Sequence, residues 1–172
     1  MSSNVNETIE QLPPSVRKVL TAVALDFEPL ESPPWWRWIL ASAVAIVGSL
    51  LADALIVKAT TSLWPHLSDY PHFVFSDYAK LTIVGVIIAC GAWPIVTRIS
   101  SRPRWLFLLM AIVVTLVLLL PDVYILVQGQ PVKAVAALVV MHLAIAVVTY
   151  CSLVFLAPAH ASRGRHARVN AG

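Results

Sequence analysis

Charge is what this 172-residue chain lacks most: only 12% of its residues are Asp, Glu, Lys or Arg, against 59% hydrophobic. A soluble domain carries about a quarter charged residues, so this chain cannot cover a globule with polar surface. A soluble enzyme, a nucleic-acid-binding module and a disordered tail are excluded on that ground. Glycine is scarce, at six residues, which excludes collagen-like and Gly-rich linker compositions. The two cysteines cannot build a disulfide framework or, unaided, a four-ligand zinc site. Catalytic signatures are missing too: there is no HExxH, no Gly-rich phosphate loop and no GxSxG. Cys90 and Cys151 stand singly, unlike the paired cysteines of membrane thiol oxidoreductases, and read as small core residues. Haem ligation would want facing histidines inside the membrane, and His142 alone is clearly intramembrane. No enzymatic activity and no cofactor are expected.

What is present is long apolar runs. Four spans, at 36–57, 78–96, 105–126 and 132–156, each hold about 20 residues or more, enough at about 1.5 Å per residue to cross a hydrocarbon core of about 30 Å. The first follows a mixed segment with no small-residue cleavage pattern and is not a signal peptide. The expected fold is all-α: an integral-membrane bundle of four transmembrane helices, preceded by a short amphipathic helix. The expected organisation is a cytoplasmic segment over 1–35, the four-helix domain over 36–157 and a basic tail over 158–172.

The net charge of +3 does not point to nucleic acid, because the basic residues cluster beside apolar runs. Arg17, Lys18, Arg37, Arg98, Arg102, Arg104, Arg163, Arg165 and Arg168 fall at one end of the spans, and Lys58, Lys80 and Lys133 at the other. The positive-inside bias therefore places both termini and the 98–104 loop in the cytoplasm of a bacterial plasma membrane. The outer loop is dense in rings, from Trp64 to Phe75, as suits the headgroup region. His66 and His72, with Asp69 and Asp77 nearby, could ligate a metal, but their spacing in a Pro-interrupted loop is unspecific and favours interfacial or partner packing, so no metal site is expected.

At the N-terminal side, Pro13, Pro14 and Ser15 start a helix that places Val16, Val19, Leu20, Val23 and Phe27 on one stripe. This stripe suits the inner leaflet or a docking partner. The acidic residues Asp26, Glu28 and Glu31 that follow would be repelled by anionic lipid, which favours a protein partner.

Ionisable residues within the spans are few. Asp53, Asp122 and His142 all fall in the outer half of the expected bundle, where a charged Asp costs up to about 3 kcal/mol at the centre of a helix. A His–Asp pair exchanges protons near neutral pH. The alternative is structural: Asp53 paired with Lys58 or Lys80, Asp122 reaching the interface, and His142 as an interhelical hydrogen bonder. Small residues mark close helix approach: Ala41, Ala45 and Ser49 on the first span, in line with Asp53, and Gly85 and Ala89 on the second. The third span is nearly all large aliphatics from Leu106 to Leu120 and is expected to face lipid or a large apolar partner, with the first, second and fourth spans making the tight contacts.

The stretch Gly91-Ala92-Trp93, Thr97-Arg98 and Arg102-Pro103-Arg104-Trp105, followed by Pro121, Met141-His142-Leu143 and Pro158, resembles uncharacterised four-helix membrane proteins of actinobacteria over roughly 40–158. The resemblance implies four helices and an actinobacterial inner membrane, and no activity. Three functional expectations are held, the least distinguished being a lipid-binding protein that uses the apolar face of the third span. One is a non-enzymatic accessory subunit of a larger cell-envelope complex, such as a lipid or nutrient transporter, contacting membrane lipids and other integral membrane subunits. Another is a small proton-coupled transporter or sensor working through Asp53 and His142.

Overall fold

The computed structural model describes residues 12–22, 25, 30 and 33–159. Within them the chain forms a short helix α1 (Pro14–Ala22) and four long ones: α2 (Trp35–Leu63), α3 (Phe75–Ile99), α4 (Pro103–Val127) and α5 (Val132–Cys151), the last running on through a π-helical turn (Ser152–Leu156). All four long helices are long and apolar enough to cross a membrane. The fold is all-α, as expected.

Each helix stops where the backbone must. Trp64 precedes Pro65, whose ring disfavours helical geometry in the residue before it, and Trp64 adopts φ −134°, ψ 80°. Polar Lys58, Thr60 and Thr61 do not interrupt α2, so it extends past the apolar run to Leu63. Two 3-10 turns, Pro65–Leu67 and Pro71–Phe73, then lead into α3. At the same end of the bundle α4 closes on Gly129, whose φ of +86° is left-handed and suits a residue with no Cβ. This end is called the capped end below; the opposite one, carrying Arg98, Arg102 and Arg104, is the basic end.

The buried positions on α3 are Tyr78, Ala79, Thr82, Val86, Cys90, Trp93, Val96 and Thr97, a three-and-four spacing that aligns one helical face. Trp93, wholly buried, anchors the core at the basic end. Its indole N–H donates to the Ala157 carbonyl at 2.9 Å, and its ring meets Phe107 edge-on at 5.1 Å. Pro94 sits inside α3 and has no N–H to give the Cys90 carbonyl one turn earlier. In lipid that carbonyl needs another donor. The Trp38 indole of α2 supplies it at 2.9 Å.

Helix α2 packs on α3 and α5, and α5 packs on α2 and α4. On α2, Ala41, Ala45, Ser49 and Asp53 are all fully buried. Gly48 permits a close approach: a Cβ there would lie 2.9 Å from Val148 Cγ1 on α5. The expectation for the third span needs correction. Its middle is exposed, from Ile112 to Leu118, as a lipid-facing helix would be. Yet α4 packs closely along α5, whereas α3 and α5 touch only sparsely. Phe107 stacks on Tyr150 at 6.0 Å, and the Tyr150 hydroxyl donates to the Arg104 carbonyl. These ring and polar contacts, rather than small residues, join α4 to the bundle.

Helix α1 lies at the basic end, where the Trp105 indole donates to the Ala22 carbonyl at 3.1 Å. Val16 and Val19 of its apolar stripe are exposed and Leu20 is half-buried. Val23 and Phe27 lie outside the described residues.

Candidate functional site

Asp53 lies ten residues before the end of α2, and His142 ten residues after the start of α5. At about 1.5 Å per residue both sit about 15 Å from the capped end. Asp122 comes from α4, near the same end. Three different helices thus bring the three intramembrane ionisable residues to one region of the bundle.

The nearest pair is Asp122 and His142. The Oδ2 atom of Asp122 lies 3.1 Å from His142 Nδ1, with the Asp122 side chain buried and His142 28% exposed. The same nitrogen lies 3.0 Å from the Leu138 carbonyl, one turn back on α5. Asp122 Oδ2 is close enough for an ion pair, yet it lacks the alignment of a hydrogen bond. Both neighbours of Nδ1 are acceptors, so Nδ1 carries the proton, assigned here from its partners.

Asp53 is wholly buried and accepts a hydrogen bond from the Thr82 hydroxyl of α3 through Oδ2, at 2.7 Å. Its other oxygen, Oδ1, has no partner. His142 lies within electrostatic reach of both carboxylates. Neither Lys58 nor Lys80 pairs with Asp53, so the structural alternative for that residue becomes a hydrogen bond to Thr82.

The 3-10 turns fold down over this region. Leu67, Tyr70 and Phe73 are buried against Ala134 and Ala137 of α5, and Lys133 rests over the Trp64 ring at 4.8 Å. The Tyr70 hydroxyl is buried without a hydrogen-bond partner. Burial, and secondly the nearby Asp122 charge, push its pKa above the ordinary value. His66 and His72 remain exposed. Among the described residues no group of three or more His, Cys, Asp or Glu side chains gathers where a metal ion could be held.

The small-residue rows fare differently. Ala41, Ala45 and Ser49 are enclosed between helices, whereas Gly85 is exposed and a Cβ added there would meet nothing within 4 Å. Gly85 and Ala89 instead line a cavity of about 190 Å³ between α3, α4 and α5, with His142 in its wall. Gly85 makes no close helix contact because it faces this cavity rather than a neighbouring backbone.

Thr82 and Tyr70 were missed by the sequence reading. For Thr82 a signal existed, since it shares the Tyr78, Val86 and Trp93 face of α3. For Tyr70, in a Pro-bounded loop, no periodicity could reveal that the ring turns inward. The chain matches no protein-family model, no curated protein and no solved structure.

Proposed function

We propose that this protein is a small proton-coupled membrane transporter or sensor, in which His142 takes up and releases the proton beside Asp122. The observation that carries the reading is the intramembrane Asp122–His142 approach at 3.1 Å. Ionisable groups are costly inside a membrane and mark proton relays or ion paths there. With Nδ1 held toward Leu138 and Asp122, protonation at Nε2 turns a lone carboxylate into a neutral ion pair. The net charge of the site changes by one unit, and with it the attraction between α4 and α5. Asp53, tied to Thr82 on α3, lets the same charge change act on α2 and α3. That is a local electrostatic event with a bundle-wide readout. The basic residues at the α1, Arg98–Arg104 end orient the capped end outward, in a bacterial plasma membrane.

The test is proton flux in proteoliposomes, followed with an internal pH dye under an imposed gradient. The intact chain is expected to give flux or a pH-dependent conformational signal, which His142→Gln and Asp122→Asn each reduce tenfold or more, with helix content retained. Equal activity in both variants overturns the reading. The exposed Val16 and Val19 of α1 favour a second reading, a non-enzymatic accessory subunit of an envelope complex. Its test is a mild-detergent pull-down, which should bring down a stoichiometric membrane partner; a lone chain removes it.

A further inference from the structure

The cavity between α3, α4 and α5 is hollowed by small side chains on all three walls: Gly85, Ala89 and Ala92 from α3, Ala111 from α4 and Ala146 from α5. Its size, about 190 Å³, exceeds that of engineered apolar cavities of about 150 Å³ that bind benzene or xenon. Ile88, Met110, Val114 and Leu118 also line it and are exposed on the bundle surface, so it opens sideways toward the hydrocarbon. From His142 to Tyr150 it follows eight residues of α5, about 12 Å along the axis. One leaflet of the hydrocarbon core is about 15 Å deep.

Two polar features break the apolar lining toward the basic end. Thr149 lines the cavity with a buried hydroxyl that has no hydrogen-bond partner, although a helical Thr commonly bonds the carbonyl one turn back. Tyr150, at the end of the cavity, donates its hydroxyl to the Arg104 carbonyl at 3.3 Å, which brings the start of α4, with Arg104 and the neighbouring Arg102, to that end. Basic sites between transmembrane helices bind anionic lipid headgroups.

We propose that this cavity is a binding site for one anionic phospholipid of the leaflet at the basic end. One acyl chain fills the groove beside Gly85 and Ala89. Its ester carbonyl accepts the Thr149 hydroxyl in the alternative χ1 rotamer, and the phosphate meets Arg102 and Arg104. The order of the features fits a single amphiphile: a slot apolar but for Thr115, then the unpartnered Thr149 hydroxyl, then cationic charge. This assignment stands apart from proton exchange at His142, whose ring forms only the far end of the slot.

The test uses the full-length protein, stripped of lipid in nonionic detergent and titrated with palmitoyl-oleoyl phosphatidylglycerol or the matching phosphatidylcholine, with bound lipid counted by native mass spectrometry. The expected result is one tightly held phosphatidylglycerol, preferred over phosphatidylcholine and not displaced by inorganic phosphate. Gly85→Leu, which fills the slot from an open position, is expected to weaken binding about tenfold, as displacing a few buried methylenes should. The double variant Arg102→Gln, Arg104→Gln is expected to keep a bound lipid but lose the preference for the anionic one. Circular dichroism checks that both variants fold, and Ala111→Leu fills the slot from the opposite wall should Gly85→Leu fail. Unchanged affinity in the slot-filling variants, equal binding of the two lipids by the intact protein, or displacement by phosphate overturns the assignment.

Discussion

His142 Nδ1 is shared between two acceptors, the Leu138 carbonyl at 3.0 Å and the Asp122 carboxylate at 3.1 Å. The Leu138 carbonyl can only accept, so the neutral imidazole is assigned the Nδ1–H tautomer from that partner. The ¹⁵N shifts of His142 in lipid are expected to report that tautomer. Asp122→Asn should preserve it, because the backbone carbonyl of Leu138 remains. An Nε2–H signal in the intact protein would contradict the arrangement.

Asp53 and Thr82 form a buried interhelical hydrogen bond at 2.7 Å. Interhelical bonds of this kind average about 0.6 kcal/mol in membranes and reach about 1.7 kcal/mol. With Asp53 Oδ1 already unpartnered, Thr82→Val would leave the carboxyl with no partner at all. Thr82→Val is expected to destabilise the bundle by about 1–3 kcal/mol. In a cycle with Asp53→Ala, measured by unfolding in mixed micelles, the two changes should be less than additive.

Trp38, Cys90 and Pro94 make a cycle of a different kind. Trp38→Phe leaves the Cys90 carbonyl without a donor, and is expected to cost about 1–3 kcal/mol. In a Pro94→Ala background the new N–H reaches the same carbonyl along the helix, and the cost of Trp38→Phe should fall well below that. Equal costs in the two backgrounds would show that the indole bond does not compensate the proline.

Gly48 is a tight point between α2 and α5, with Val148 Cγ1 at 2.9 Å from where a Cβ would stand. Gly48→Leu is expected to destabilise by at least about 1–3 kcal/mol, the cost typical of overpacking. Gly48→Ala should cost less, and Val148→Ala should rescue it by clearing the contact. Thermal unfolding of the four proteins in one detergent measures this.

Tyr70 supplies a pH dependence. Its pKa is raised in the folded chain, by burial first and by Asp122 second. The folded state therefore holds the phenolic proton more tightly than the unfolded state. The contribution is fully present below the ordinary tyrosine value of about 10 and is lost as pH rises through the raised folded value. Stability is expected to fall in that alkaline window, and Tyr70→Phe should flatten the fall. Because the hydroxyl has no hydrogen-bond partner, the same change should be close to neutral at pH 7.

Four spans and a helical bundle were determined by the sequence alone, because an apolar run in lipid has nowhere to put its backbone polar groups except its own helix. The buried face of α2 was legible for the same local reason. Ala41, Ala45, Ser49 and Asp53 recur every four residues, and that spacing fixes a common side whatever the partner is. Which helix meets which was decided by tertiary structure. Gly85 looked like a packing residue because it is small, but smallness permits either a close contact or a hollow, and only the packing of the helices around it selects the hollow. The aliphatic α4 was expected to face lipid or an apolar partner outside the tight contacts; Phe107, Asp122 and Arg104 hold it to α5 through contacts that no single-helix pattern encodes. The meeting of Asp122 and His142 is of the same origin. Each residue was visible as an intramembrane polar group, but their approach depends on the order of helices around the bundle, which local spacing does not specify.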